Sequence, residues 1–362
     1  MSIKIAFIIG SIDDGGGVET VLEQLSQSFI SMGKSVVIIN LFGSYVNNNF
    51  SQNGCTVVNL FKSKISYLFF PLYVYKLRKL IRLLDVDCVI DMGTHFSLFS
   101  NPATFATKIK TISCEHVNLY ASKKNFLVKF IFCRFSDTIV TLTERDKLAY
   151  INAGINNKVI CIPNYTRYAN KKLSSFTSNQ NSKVLVAVGR LGAQKSFDRL
   201  INIWSKVELK KDFKLEIWGD GEDRDYLLNL IHECNVSDSC QLRGRTDTIS
   251  EVYGNAYLLL MTSIYEGYPM VLIESISHGV PVISYDCPTG PSEIIENEIT
   301  GFLIENGNED SFVQKLNLLL GDETFRRRMS EACVGKRYIY SEEYNMILWE
   351  ELFRSFNYAN KN

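Results

Sequence analysis

The sequence predicts an α/β protein built from two doubly wound parallel-sheet domains. Three observations carry this expectation. The chain has 362 residues, too many for one ordinary core and suited to two domains of usual size. Short apolar runs of strand type alternate with helical patterns in both halves, the signature of parallel sheets covered by helices on both faces. Hydrophobic residues at 46% and charged residues at 22% are globular proportions.

Taken in order, residues 3–9 read as a buried strand, 20–32 as a helix closed by Gly33, and 36–41 as the next strand. Residues 86–90, 110–114 and 138–142 continue the strand series. Residues 164–181 turn polar, rich in Ser, Asn, Lys and Thr, which places an inter-domain linker there. A second series opens with VLVAVGR after Lys183 and runs through KLEIWG, residues 257–261 and PVISYD at 281–286. Residues 342–356 form a terminal amphipathic helix. The domains expected are 1–165 and 166–341, with helix 342–358 after them.

Charge is balanced overall but unevenly spread. Residues 1–165 hold 17 Lys and Arg against 11 Asp and Glu, and the remainder hold 22 against 28. A basic first half points to an anionic partner, with a membrane surface preferred. Residues 61–84 carry six Lys or Arg and no acid, interleaved with Tyr67, Phe69, Phe70, Tyr73 and Tyr75. Residues 123–134 repeat the pattern with Phe126, Phe130 and Phe132. Such helices suit peripheral contact with an anionic membrane, and equally suit core helices whose charges are simply solvated. Both readings stand. No recognition-helix or RNA-binding signature accompanies the basic half, so nucleic acid is not an expected partner.

The nine cysteines are scattered without a C-x-x-C pair and apart from the four histidines. That pattern suits reduced thiols in a cytoplasmic protein and gives neither a disulfide framework nor a zinc site. Met1 runs directly into the first strand, and no 18-residue apolar run exists. Neither a signal peptide nor a spanning helix is therefore expected.

The chemistry concentrates in MTSIYEGYPMVLIE, residues 261–274. An apolar strand ends at Met261, a Gly-containing loop follows, and Pro269 suits the first position of a helix. Glu266 then stands on the loop. Glu274 lies inside the helix among Val271, Leu272, Ile273 and Ile276, where an unpaired acid would be costly. The N–H groups at Met270 and Val271 favour an anion. Two carboxylates for hydroxyls and a helix start for phosphate describe a nucleotide-sugar site. Arg190 and Lys195, just after a strand, can clamp a diphosphate, although exposed cations on a loop are commonly just solvated. Gly16 and Gly17 follow the first strand and allow close backbone approach to a ligand, or simply a tight turn. The spacing is not G-x-G-x-x-G and strand two ends without an acid, which disfavours a nicotinamide enzyme. Asp223 and Asp225 mimic a metal-binding D-x-D but open a polar helix, so no metal is expected.

The acid pair, the segment VAVGRLGAQK, and the loops GDGED and RGRTD occur in the order and spacing of the retaining glycosyltransferases of family four. The chain resembles that family along most of its length, most strongly over residues 184–305. The resemblance implies the GT-B fold, two Rossmann-like domains facing a central cleft, with the last helix packing back on the first domain. It implies that Glu266 holds the donor sugar and Glu274 the ribose, with Arg190 and Lys195 on the diphosphate. Gly16 and Gly17 would face donor phosphate or acceptor, and Gly219, Arg243 and Gly244 the base and ribose. His116, in CEHVN, matches a histidine that touches the donor sugar in the family. Glu144 and Asn164 fall at further strand ends; Tyr165 stands where the family commonly has Gly after that Asn.

The activity expected is hexose transfer, with retention and without metal or other cofactor, from a nucleotide diphosphate sugar. UDP-sugar is preferred as donor. The acceptor expected is a saccharide or lipid-linked saccharide of a bacterial surface polysaccharide, such as lipopolysaccharide, O-antigen or capsule. Two alternatives remain: a non-catalytic sugar-nucleotide-binding subunit, separable by donor hydrolysis, and a nucleotide-sugar epimerase of the same fold.

Overall fold

The computed structural model describes residues 3–12, 17–43, 50, 54–62, 70–120, 123–155, 158–170 and 183–356. The chain divides into two compact units, Met1–Pro163 with Met346–Asn362, and Asn164–Asn345.

The first unit contains strands β1 (Lys4–Ile9), β2 (Ser35–Phe42), β3 (Thr56–Phe61), β4 (Cys88–Asp91), β5 (Lys110–Cys114), β6 (Thr138–Thr141) and β7 (Val159–Cys161). They form one sheet in the order β3-β2-β1-β4-β5-β6-β7, parallel throughout. Helices α1 (Gly17–Ser31), α2 (Phe70–Leu83), α3 (Ser97–Thr104), α4 (Lys123–Phe132) and α5 (Glu144–Asn152) lie between the strands in sequence. The central strand KIAFII is apolar at nearly every position because covered parallel sheets bury both faces. Phe29 of α1 stacks on Phe7 at 5.8 Å between ring centres. Trp349 and Phe353, from the terminal helix, each meet Phe29 edge-on at 5.3 Å. A fully buried aromatic ring of this kind contributes about 1.5–3 kcal/mol.

The second unit contains β8 (Val184–Val188), β9 (Lys214–Trp218), β10 (Cys240–Gly244), β11 (Leu258–Met261), β12 (Val282–Asp286) and β13 (Gly301–Glu305). Their order is β10-β9-β8-β11-β12-β13, again all parallel. Helices α6 (Phe197–Lys206), α7 (Arg224–Glu233), α8 (Ile249–Gly254), α9 (Met270–Ser277), α10 (Pro291–Ile294), α11 (Glu309–Gly321) and α12 (Glu323–Gly335) connect them, and α13 (Glu342–Ser355) ends the described chain. Trp204 of α6 and Phe312 of α11 are fully buried in a core shared with Leu258 and Ile283 of the central strands.

The two doubly wound parallel sheets agree with the fold class expected from the sequence. Strands β3 and β13 escape the sequence pattern, and both are sheet edges. An edge strand needs no continuous apolar run; TVVNLF in β3 is half-exposed along most of its length. Much of the expected linker, residues 171–181, lies outside the described residues. Its first part is ordered within the second unit: Thr166 N–H donates to Tyr340 O at 2.9 Å, and Tyr165 is buried.

Candidate functional site

Strand order in the second unit reverses between β8 and β11, the position at which open parallel sheets bind ligands beyond their carboxyl ends. The loops that follow these adjacent strands are bonded to one another. Ile264 N–H donates to Gln194 O at 2.9 Å, and Gln194 Nε2 donates to Tyr265 O at 3.0 Å. Thr262 Oγ1 donates to the carbonyls of Lys195 and Ser196 at 3.3 and 3.0 Å. Within this frame Lys195 Nζ stands 2.7 Å from Glu266 Oε1, with side-chain exposures of 17% and 8%. Thr289 Oγ1 donates to Glu266 O from the far side. Gly290 beside it has φ +95°, and a Cβ there would come within 2.5 Å of Pro269 Cδ and 2.7 Å of Gly267 O. No other residue allows that approach.

Helix α9 begins at Met270, and Pro269 occupies the N-cap with extended backbone. The sequence places Pro269 one residue further in; the proline ring permits either position. Met270 and Val271 are half-buried, and no side chain caps the first N–H groups of the helix. Glu274, one turn on, accepts from Tyr253 OH at 3.0 Å. Burial pushes its carboxyl up to about 7, against the Tyr253 hydrogen bond and the Arg167 charge, which pull it down. His278 Nδ1 lies 2.8 Å from Glu274 O and Nε2 lies 2.9 Å from Ser250 Oγ. A carbonyl only accepts, so this arrangement assigns the ring proton to Nδ1 and leaves the serine hydroxyl as donor to Nε2.

Arg190 and Lys195 share one loop but not one partner. Arg190 is exposed and its Nε donates to Glu222 Oε2 at 3.1 Å. An exposed pair of this kind is weak and screened by salt, so a stronger anion can take the guanidinium from Glu222. Gly219 has a structural task. At φ +140° its missing Cβ would fall 1.8 Å from Gly189 O, and its N–H donates to Gly244 O at 2.8 Å. Arg243 Nε donates to Glu216 Oε1 at 2.9 Å, so its side chain is held along the sheet edge. Asp223 occupies the N-cap position of α7 without a capping side-chain hydrogen bond, and Asp225 lies in its first turn.

In the first unit, Gly16 lies outside the described residues and Gly17 is the exposed first residue of α1. His116 directly follows Glu115 beyond the carboxyl end of β5 and is half-buried. Its Nε2 is buried and has no hydrogen-bond partner among the described residues. Burial pulls the imidazole down to about 4; Glu115 opposes this and His95 adds to it. Glu144 is the exposed first residue of α5 and pairs with Lys147, while Asn164 is buried in the second unit.

Two readings of the basic aromatic segments need correction. Lys129 of α4 is buried, and its ammonium lies 2.5 Å from Glu115 Oε2. Tyr73 of α2 is buried too, against Phe61 and Phe99. Residues on the inner turn of a helix cannot meet a membrane, whatever their chemistry. Tyr75, Lys76, Lys79, Leu127, Phe130 and Arg134 do face outward, whereas Tyr67 and Phe69 lie outside the described residues. Sequence reasoning also passed over Glu115, Tyr150, Thr94 and Tyr253; the one signal available was the Glu preceding His in CEHVN.

Residues 170–333 match the family model described as Glycosyl transferases group 1, and residues 15–166 match that of Glycosyltransferase Family 4. A Haemophilus influenzae protein described as an uncharacterized glycosyltransferase is 30% identical, over 95% of this chain and 96% of its own. The amylovoran biosynthesis glycosyltransferase AmsD of Erwinia amylovora is 29% identical, over 96% of this chain and 99% of its own. Among solved structures, Anabaena HepE in complex with UDP superposes with a TM-score of 0.84 at 17% identity, covering 98% of this chain and all of that one. The two parallel-sheet units are those of the GT-B fold, and the chain belongs to the family-four glycosyltransferases.

Proposed function

We propose that the protein transfers a hexose from a UDP-sugar, with retention of configuration, to a saccharide or lipid-linked saccharide during assembly of a bacterial surface polysaccharide. The Lys195–Glu266 pair at the sheet reversal carries this reading. It sets a carboxylate for sugar hydroxyls against a cation for the departing diphosphate, on loops braced by backbone hydrogen bonds. Arg190, exchanging Glu222 for phosphate, and the opening turn of α9 at Met270 and Val271 would add positive potential where negative charge develops. Glu274, steadied by Tyr253, would take the ribose hydroxyls. His116 would touch the donor sugar as a neutral ring. Cations of the protein itself supply the diphosphate charge, so turnover should survive chelation.

The polysaccharide role is supported by the amylovoran relative, and the UDP donor by the HepE complex. Peripheral contact with anionic lipid is supported by the outward set Tyr75, Lys76, Lys79, Phe130 and Arg134. The test is a thermal-shift screen of UDP- and GDP-sugars followed by transfer assays. Stabilisation by GDP-sugars alone would reject the donor, and binding without any hydrolysis or transfer would reject catalysis.

A further inference from the structure

Glu115 is a buried junction that the roles above do not use. Its Oε2 accepts from Lys129 Nζ at 2.5 Å, from Thr94 Oγ1 at 2.9 Å and from the Tyr150 hydroxyl. These donors come from α4, from the turn after β4 and from α5. Its Oε1 accepts the N–H of Val117 at 3.3 Å, and Lys129 Nζ also donates to Asn118 O at 3.3 Å. The residues on both sides of His116 are therefore tied to one ion pair. Burial alone would raise the Glu115 carboxyl, but the charge and hydrogen bond of Lys129, with Tyr150 and Thr94, hold it below its ordinary value.

Stability does not explain such an arrangement. A buried ion pair can often be replaced by apolar groups of similar volume at no loss, because desolvation offsets attraction. Three donors converging on one oxygen instead fix direction. What they fix is the short turn 115–118, which leaves His116 Nε2 as a buried nitrogen without a partner among the described residues.

We propose that Glu115 and Lys129, with Tyr150 and Thr94, are positioning residues that hold His116 Nε2 ready to hydrogen-bond a sugar hydroxyl of the substrate. The proposal rests on the reading of His116 as a substrate contact. Among the described residues, the charged or titratable groups that act on this ring are Glu115 and His95. Glu115 is the nearer in sequence and is already spoken for by three donors, so its negative charge is neutralised by Lys129 rather than by a protonated imidazole.

The test uses the whole protein and the charge-neutral double variant E115Q/K129M, which removes both charges and keeps their volume. Hydrolysis of UDP-glucose or UDP-galactose, whichever the wild type turns over faster, is measured beside UDP affinity. A turn displaced by about 1 Å should lower kcat roughly 10- to 100-fold, with UDP affinity and thermal midpoint nearly unchanged. Wild-type kcat in a folded double variant would overturn the proposal. H116A separates the two ideas: a loss of kcat in H116A but not in E115Q/K129M sinks the positioning role alone. Unchanged kcat in H116A removes the reading of His116 and this proposal with it. Should the double variant fail to fold, Y150F decides instead, since it keeps both charges and deletes one donor. A reduced kcat at unchanged donor KM supports the role, and an unchanged kcat rejects it.

Discussion

Lys195 Nζ and Glu266 Oε1 stand 2.7 Å apart, joining the loops that follow two adjacent strands at the reversal of the second sheet. With both side chains largely buried, each ion is the solvent of the other. Removing one leaves the second desolvated and unpaired. Lys195→Met should therefore destabilise the protein by about 3–5 kcal/mol, and adding Glu266→Gln should recover most of that loss. Urea unfolding of the two variants checks this. A single variant as stable as wild type would show that water already screens the pair.

In the proposed site, where Glu274 takes the ribose hydroxyls, its burial is coupled to nucleotide affinity. Its carboxyl is pushed up to about 7 by burial, more than the Tyr253 hydrogen bond and the Arg167 charge pull it down. Ribose hydroxyls donate best to the ionised form. UDP affinity should then rise as pH increases through 7, changing by roughly tenfold per unit on the acid side. Glu274→Gln should bind more weakly at pH 8 and lose this dependence on Glu274 ionisation. Calorimetry of UDP binding from pH 5.5 to 8.5 reads both; identical profiles for the variant and the wild type would assign the titration to the nucleotide itself.

Asp91 gives a stability slope with a definite sign. It is fully buried at the end of β4, with Oδ2 accepting from Ser100 and Ser113 at 2.7 and 2.9 Å. Burial raises its carboxyl to about 7, against the two serine hydrogen bonds that lower it. The folded state thus keeps a proton that the unfolded chain releases near pH 4. Its contribution is present below that point and is lost as pH rises to 7. Asp91→Asn should remove the slope and gain on wild type between pH 5 and 8, on the order of 2–4 kcal/mol at the upper end. Parallel urea midpoints for both proteins would show Asp91 to be ionised in the fold.

How far these features could be read from sequence follows from their range. The central strands, the loop–helix start at Met270 and the positions of Lys195, Glu266 and Glu274 depend on local apolar runs and turn chemistry, and they were legible. Edge strands such as β3 were not, because exposure on an edge breaks the apolar pattern. Pairings across long separations were not either. Nothing in KKNFLVKFIF marks Lys129 as a lysine that turns inward to Glu115, since that depends on how α4 lies against β5. The pairing of Arg190 with Glu222 is hidden for the same reason: residues 32 apart meet only after β9 has been placed beside β8.

Stereochemistry tests the arrangement around Glu266 most directly. That carboxylate is held by Lys195, and in the proposed function the donor sugar lies against it with the diphosphate on the lysine side. In the proposed reaction the acceptor enters on the face the diphosphate leaves, so an α-linked donor gives an α-linked product. Glu266→Gln keeps the shape but removes the charge, and it also leaves Lys195 without its counter-ion. If the carboxylate acts chiefly on the developing positive sugar, kcat should fall and donor affinity should change much less. An equal loss in both would make Glu266 a ground-state contact. Proton NMR of the first-formed product reads the anomeric coupling before any mutarotation. A β product from an α donor would remove the retaining mechanism while leaving the fold and the nucleotide site in place.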